Sequence, residues 1–283
     1  MTDLTASTPP RRLGPRTAPT GGALALLATQ VLMEVRRYRR LPEYVIGVAL
    51  LPVILYAMFG LSEAGEVLPG GTDVGAMLFV SFACYGVVSQ ALFSFGGELA
   101  AERERGWLRR LRATPMPMWA YFAAKVALNL VFTLLTVTAM ALVAIGAGGV
   151  RFEPARLLAC AGIVLLGVLA FSTMGSALAY WVRPQAVSTI VNLVFLPLSF
   201  LSGFFYPLDR LPDVFGQIAQ VLPTHHFGQL VWGVMAPEQD VVAFGNPPHA
   251  TTAQDVVIVV AWFAVCAALT AWGYRRDLDR ERS

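Results

Sequence analysis

A chain of 283 residues in which 56% are hydrophobic and only 14% charged, with a mean hydropathy of +0.61, falls outside the range of soluble globular domains. The net charge of +3 arises from 20 arginines and Lys125 set against 18 acidic residues, and no nucleic-acid partner is expected. The three cysteines, Cys84, Cys160 and Cys266, each lie in an apolar run without metal-ligand spacing, so they are expected to be buried thiols with no metal.

Residues 1–22 are rich in Thr, Pro and Arg, lack an apolar stretch, and are expected to form a disordered cytoplasmic tail rather than a signal peptide. In residues 23–40, Leu24, Leu27, Val31, Leu32 and Val35 share a helical face ahead of the cationic Arg36, Arg37, Arg39 and Arg40. That pattern predicts an amphipathic helix lying in the cytoplasmic headgroup region. The plainer alternative is an extension of the first span, stopped near Pro42.

A helix needs roughly 20 apolar residues to cross the hydrocarbon core, because lipid offers backbone groups no partners. Six stretches qualify, at residues 44–61 (kinked at Pro52), 75–95, 120–146, 157–182, 186–206 and 256–274. Arginines fix the orientation. Seventeen lie before the first span, between spans two and three, between four and five, or in the tail, while only Arg151, Arg156 and Arg210 lie on the other side. Both termini are therefore expected in the cytoplasm, with residues 23–276 as one transmembrane domain and 277–283 as a short tail. Lys125, near the cytoplasmic end of span three, is expected to snorkel to the interface.

The connection at residues 97–117 holds five arginines and three glutamates. It is expected to be helical up to Pro115, broken or bent at Gly106, with Glu102, Arg103, Glu104 and Arg105 pairing along its surface. A solvated positive-inside loop would account for the arginines, but not for the glutamates or for exposed Trp107 and Leu108. An aromatic among charges suggests a contact surface. Residues 206–235 are apolar but interrupted by Pro207, Pro212 and Pro223, which predicts two short helices dipping into the outer leaflet and returning. A polar external loop follows at residues 236–254.

Two of these segments carry a resemblance. Residues 102–117, ERERGWLRRLRATPMP, resemble the E-x-E-x-G-T-L-x-x-L-x-x-T-P signature of ATP-binding-cassette type-two export permeases, in particular the drug-resistance branch that includes daunorubicin exporters. Residues 195–226 are similar to that family's downstream block, with Pro197, Ser202, Gly203, Pro207, Pro212 and Pro223 at matching positions. The chain departs from the pattern at Trp107, where the family usually has Thr, and at His225 and His226, where an aromatic or apolar residue is commoner.

The resemblance implies an all-α membrane protein of six transmembrane helices with an amphipathic interfacial helix, a cytoplasmic coupling helix and an external re-entrant hairpin between spans five and six. It implies a permease half in a bacterial plasma membrane, paired with a second copy or a homologous partner and driven by a separate ATPase subunit that binds ATP and Mg. Glu98, Glu102, Arg103, Glu104, Arg105, Gly106, Trp107, Leu108 and Arg110 would form the coupling element. The 283 residues contain no G-x-x-x-x-G-K-[ST] phosphate loop, so no cofactor is expected on this chain. Drug export and antibiotic resistance are the activities such a subunit would serve.

In relatives, spans two and five line the central path, which here offers Ser89, Gln90 and Phe93, then Thr189, Asn192 and Phe195. Asn129 on span three is a further polar candidate. The plainer reading is that these amides hold helices together. Gly175 and Ala179 read as a helix-packing pair. The spans carry almost no charge, which favours an apolar or amphiphilic cargo over an ion relay. No catalytic residue is expected. The competing reading, an intramembrane enzyme acting on lipids or peptides through His225 and His226, needs a nucleophile or acid beside them.

Overall fold

The computed structural model describes residues 50–114, 116–246, 248 and 251–282, with positions 28, 31–33, 35 and 36. Those six isolated positions are helical. The rest of the segment expected to form the amphipathic opening helix, the tail at residues 1–22 and the start of the expected first span lie outside the described residues.

Among the described residues the chain is built from helices, and five are long and apolar enough to cross a membrane. The first helix, α1 (Leu51–Leu55), runs on through a π-helical stretch at Tyr56–Gly60. A turn then leads to α2 (Val74–Ser89), which continues without a break through a second π-helical stretch, Gln90–Gly97, into α3 (Glu98–Glu104). The short α4 (Trp107–Arg112) follows, then the long helices α5 (Met118–Gly146), α6 (Pro154–Trp181) and α7 (Pro184–Leu201). The segment predicted to hold two short helices contains α8 (Asp213–Ala219) and α9 (Pro223–Met235). A further short helix, α10 (Glu238–Ala243), precedes the last span, α11 (Thr252–Arg282).

The helix ends follow local chemistry. The Asp73 carboxylate accepts from the Gly75 N–H at 2.7 Å, capping α2. Pro154, Pro184 and Pro223 each open a helix, where the missing N–H has no intrahelical role. Gly106 adopts φ +66°, a left-handed conformation that costs a glycine nothing, and there α3 gives way to α4.

Of the five spans, α2 is the centre. Its apolar window is 89% buried within the chain, against 39% or less in each of the others and 11% in α11. A helix apolar on every side has no solvent face to keep, and this one packs against α1, α5, α6 and α9. The outer helices leave Leu142, Leu158, Leu166 and Leu193 exposed, as lipid-facing surfaces do.

The π-helical stretch and α6 meet closely enough that a Cβ on Gly175 would strike the Ala91 carbonyl and the Gly96 backbone. Ala179, one turn on, is fully buried. The small-residue pair therefore serves helix packing, as its spacing suggests. Replacing Gly175 with Leu should lower the stability of the membrane-inserted protein by about 1–3 kcal/mol or more, the usual cost of overpacking. A drop in the thermal aggregation midpoint of the purified variant would register it.

Candidate coupling site

The arginine-rich end of the bundle is formed by α3, α4, the start of α5, the α6–α7 turn and the end of α11. Here the charged segment divides into two faces. On the inward face, Leu99, Ala100 and Leu108 are buried. With them, Glu98 and Glu102 converge on the Lys125 ammonium of α5, each at 3.2 Å, while the Tyr121 hydroxyl donates to Glu102. Lys125 and Glu102 side chains are each only 4% exposed. The snorkelling expected of Lys125 does not occur, because two carboxylates meet it inside the bundle. Leu108 likewise packs inward rather than forming part of an exposed surface.

Arg103 makes the second anchor. Its Nε and Nη2 donate to the Asp277 carboxylate at 2.9 and 2.6 Å, Nη1 donates to the Ala179 carbonyl, and the guanidinium lies 4.5 Å from the Tyr180 ring centroid. Gln185 donates to Glu104 at 2.6 Å. In place of the mutual pairing expected of Glu102, Arg103, Glu104 and Arg105, the first three bond to other helices, while the Arg105 Nε donates to the Ala101 carbonyl of its own helix. Helix surfaces place i, i+4 charges in reach of one another, but a neighbouring helix offers partners that are better desolvated.

The outward face is different. Glu104, Arg105, Arg109 and Arg110 are exposed, and Trp107 is 47% exposed. The Arg110 guanidinium lies 5.8 Å from the Trp107 ring and donates to the Arg105 carbonyl. An exposed indole beside a guanidinium, on a backbone held from behind by the ion pairs of Lys125 and Arg103, has the composition of a candidate contact surface.

The predicted path residues do not converge. Ser89 and Gln90 are buried within the chain, and Gln90 accepts from the Thr133 hydroxyl of α5 at 3.0 Å. Asn129 is buried one turn before Thr133. Phe93 and Phe195 do meet, with ring centroids 5.2 Å apart. Thr189 and Asn192 sit on the exposed face of α7, where Asn192 donates to the Ser188 carbonyl.

The histidine pair lies in α9, which is buried among α2, α6 and α11. His226 has Nδ1 2.6 Å from the Asp255 carboxylate and Nε2 2.7 Å from the Gln220 carbonyl. A carbonyl only accepts, so Nε2 carries a proton, and neither nitrogen is open to act as a base. His225 faces the Ser202 carbonyl at 3.3 Å and the Gln229 amide. Both rings are buried instead of solvated, and they fasten the helices of this end. The enzyme reading gains an acid, Asp255, but no nucleophile at either ring in these contacts.

This arrangement agrees with the comparisons. The family model for the ABC-2 type transporter matches residues 26–235, which include α1 to α9. The chain belongs to the ABC-2 type transporter family. It is 23% identical over 252 residues to YvfS of Bacillus subtilis (strain 168), named as a transport permease, covering 89% of this chain and 98% of that one. It is 29% identical over 148 residues to the inner membrane transport permease YhhJ of Escherichia coli (strain K12), covering 51% of this chain and 39% of the relative. YhhJ of Shigella flexneri matches to the same extent. The chain is therefore a multi-pass membrane transport permease, of a family that generally works with an ATP-binding subunit.

Within this ABC-2 permease, sequence reasoning missed Tyr121, Asp277 and Gln185 as partners of the charged segment. Asp277 is legible in the sequence only as part of a terminal charge run, which ordinarily forms a solvated tail. Removing one member of a buried ion pair leaves the others uncompensated, at about 3–5 kcal/mol. Lys125→Met should accordingly destabilise the permease strongly, whereas Asp277→Asn, at a side chain 18% exposed, should cost less. Chemical denaturation of both purified variants in detergent gives the order.

Proposed function

We propose that this chain is the transmembrane subunit of an exporter that moves a hydrophobic or amphiphilic small molecule, such as a drug, antibiotic or lipid, out of the cell. ATP and Mg bind to a separate ATPase subunit, and a second copy of the permease completes the assembly. The arginine-rich end faces the cytoplasm, in keeping with the seventeen-to-three arginine bias. At the far end, α8 and α9 form the external hairpin that re-enters between spans five and six.

The observation that carries this reading is the division of α3–α4 into an anchored face and an exposed one. Force applied to Trp107, Arg105 and Arg110 reaches α5 through Glu98, Glu102 and Lys125. It reaches α6 and α11 through Arg103. It also reaches α2 directly, because Val74–Glu104 is one helix. A push from a partner ATPase is therefore delivered to four spans together. The same contact explains why a chain without a phosphate loop can take part in ATP-driven work. Ser89, Gln90, Phe93, Thr189, Asn192 and Phe195 remain the candidates for contact with cargo in this reading, although in a single chain Thr189 and Asn192 lie on the exposed face of α7, away from the buried Ser89 and Gln90.

The cargo class follows from the same economy of charge. The apolar windows of the spans hold at most two charged residues each, and the buried charges among the described residues sit towards the ends, Glu102 and Lys125 beside the charged segment and Asp240 and Asp255 at the far end. Ions and strongly charged solutes would find no counter-charges on such a route.

Arg105 and Trp107 point away from the bundle, so replacing them spares the fold. In the reconstituted complex, Arg105→Glu with Trp107→Ala should leave the amount of permease in the membrane unchanged and reduce permease-stimulated ATP hydrolysis by about tenfold or more, the effect of losing a central interface anchor. Undiminished hydrolysis would remove the coupling role.

A further inference from the structure

Away from the charged segment, a cavity of about 330 Å³ opens between the π-helical stretch, α6, α7 and α11. Its walls include Leu92, Leu178, Ile190, Val194, Cys266 and Leu269, and every residue lining it is apolar. Its size falls at the low end of the roughly 300–1,000 Å³ typical of ligand sites. A bilayer supplies one abundant molecule for an open hydrocarbon-lined cleft, an acyl chain.

The edge nearest the arginine-rich end supplies the complementary charge. Trp181 lines the cavity there, donates its indole N–H to the Leu269 carbonyl at 2.9 Å, and meets Trp272 edge-on at 4.8 Å. Paired tryptophans mark the headgroup level of a membrane. The Arg276 guanidinium lies 4.5 Å from the Trp181 ring centroid, and the side chain as a whole is partly exposed. Leu269 and Arg276 are seven residues apart, about two helical turns, so they share one face of α11. Arg183, exposed, directly follows the lining residue Val182. Of the acids at this end, Asp277 is engaged by Arg103 and Glu104 by Gln185, while Asp279, three residues beyond Arg276, is exposed to solvent. A guanidinium stacked on an interfacial tryptophan above an apolar cleft, with the exposed Arg183 alongside, suits a phosphodiester.

We propose that this cleft holds an acyl chain of an anionic bilayer phospholipid, with the lipid phosphate on Arg276 and Arg183 alongside. The site is separate from the coupling surface and requires only that the chain sits in a bilayer. Bound lipid would fill the gap between α7 and α11, the two spans least buried by the chain itself.

The test uses the full chain, reconstituted in nanodiscs of equal phosphatidylglycerol and phosphatidylcholine, extracted in mild detergent and examined by native mass spectrometry for retained lipid. Wild type should keep phosphatidylglycerol over phosphatidylcholine by about tenfold or more, as two arginines near an anionic headgroup predict. Arg276→Gln with Arg183→Gln should abolish that preference. Val194→Trp, at a lining position already 48% exposed, should lower retention of both lipids by filling the cleft. Equal retention by wild type overturns the proposal, as does unchanged phosphatidylglycerol binding in either variant. A photo-crosslinking residue at position 194 that captures a second copy of the chain instead of lipid also overturns it. Because retained lipid is the readout, such a failure would leave the exporter reading intact.

Discussion

An ammonium group shut between two carboxylates, where water barely reaches, sets the geometry of the whole arginine-rich end. Lys125 is the chain's single lysine, and it is spent on holding α3 to α5. A buried ion pair of this kind adds little net stability over an apolar substitute, since desolvation offsets the attraction. What it does add is specificity of position. Glu98 and Glu102 are one helical turn apart, so a single cation between them fixes both the rotation and the height of α3. The Tyr121 hydroxyl takes up part of the remaining acceptor capacity of Glu102.

Given that anchor, the rest of the charged segment can face outward without unravelling. Arg103 fastens the opposite flank to α6 and α11, and Gly106 turns the chain so that Trp107 emerges beside Arg110. The far end of the molecule uses the same device with different residues. The buried carboxylate of Asp240 accepts from the Gly70 and Thr72 N–H groups, and His226 joins Asp255, tying loops and the start of α11 to the core. In both places a polar side chain is fully engaged where hydrocarbon or protein has displaced water, as the cost of an unpaired buried group requires.

Much of this was open to reading from the residues alone. Long apolar runs gave the spans from Val74 onward, prolines marked the starts of α6, α7 and α9, and Gly106 marked the break in the charged segment. The motif around residues 102–117 was sufficient to suggest the family that the comparisons then established. Other features were hidden for physical reasons. Apolar periodicity does not reveal which all-apolar helix is central, so the burial of α2 came only from packing. The π-helical stretch at Gln90–Gly97 has no composition that sets it apart from α-helix. Charge pairing was misjudged because local spacing pointed to Arg105 and Glu104, while Arg103 reached across to a residue 174 positions away in sequence. The path candidates show the same limit, since Gln90 found Thr133 and the amide of Asn192 found only its own helix.

The clasp between Arg103 and Asp277 carries a practical corollary. Asp277 belongs to the final turns of α11, a stretch that protein engineers commonly treat as a convenient handle. Trimming the chain upstream of that aspartate, or splicing a rigid fusion onto it, would strand a guanidinium against Tyr180 and slacken the elbow from behind. A carboxy-terminal reporter belongs after Arg282, on a flexible tether, if the hinge it adjoins is to keep its shape.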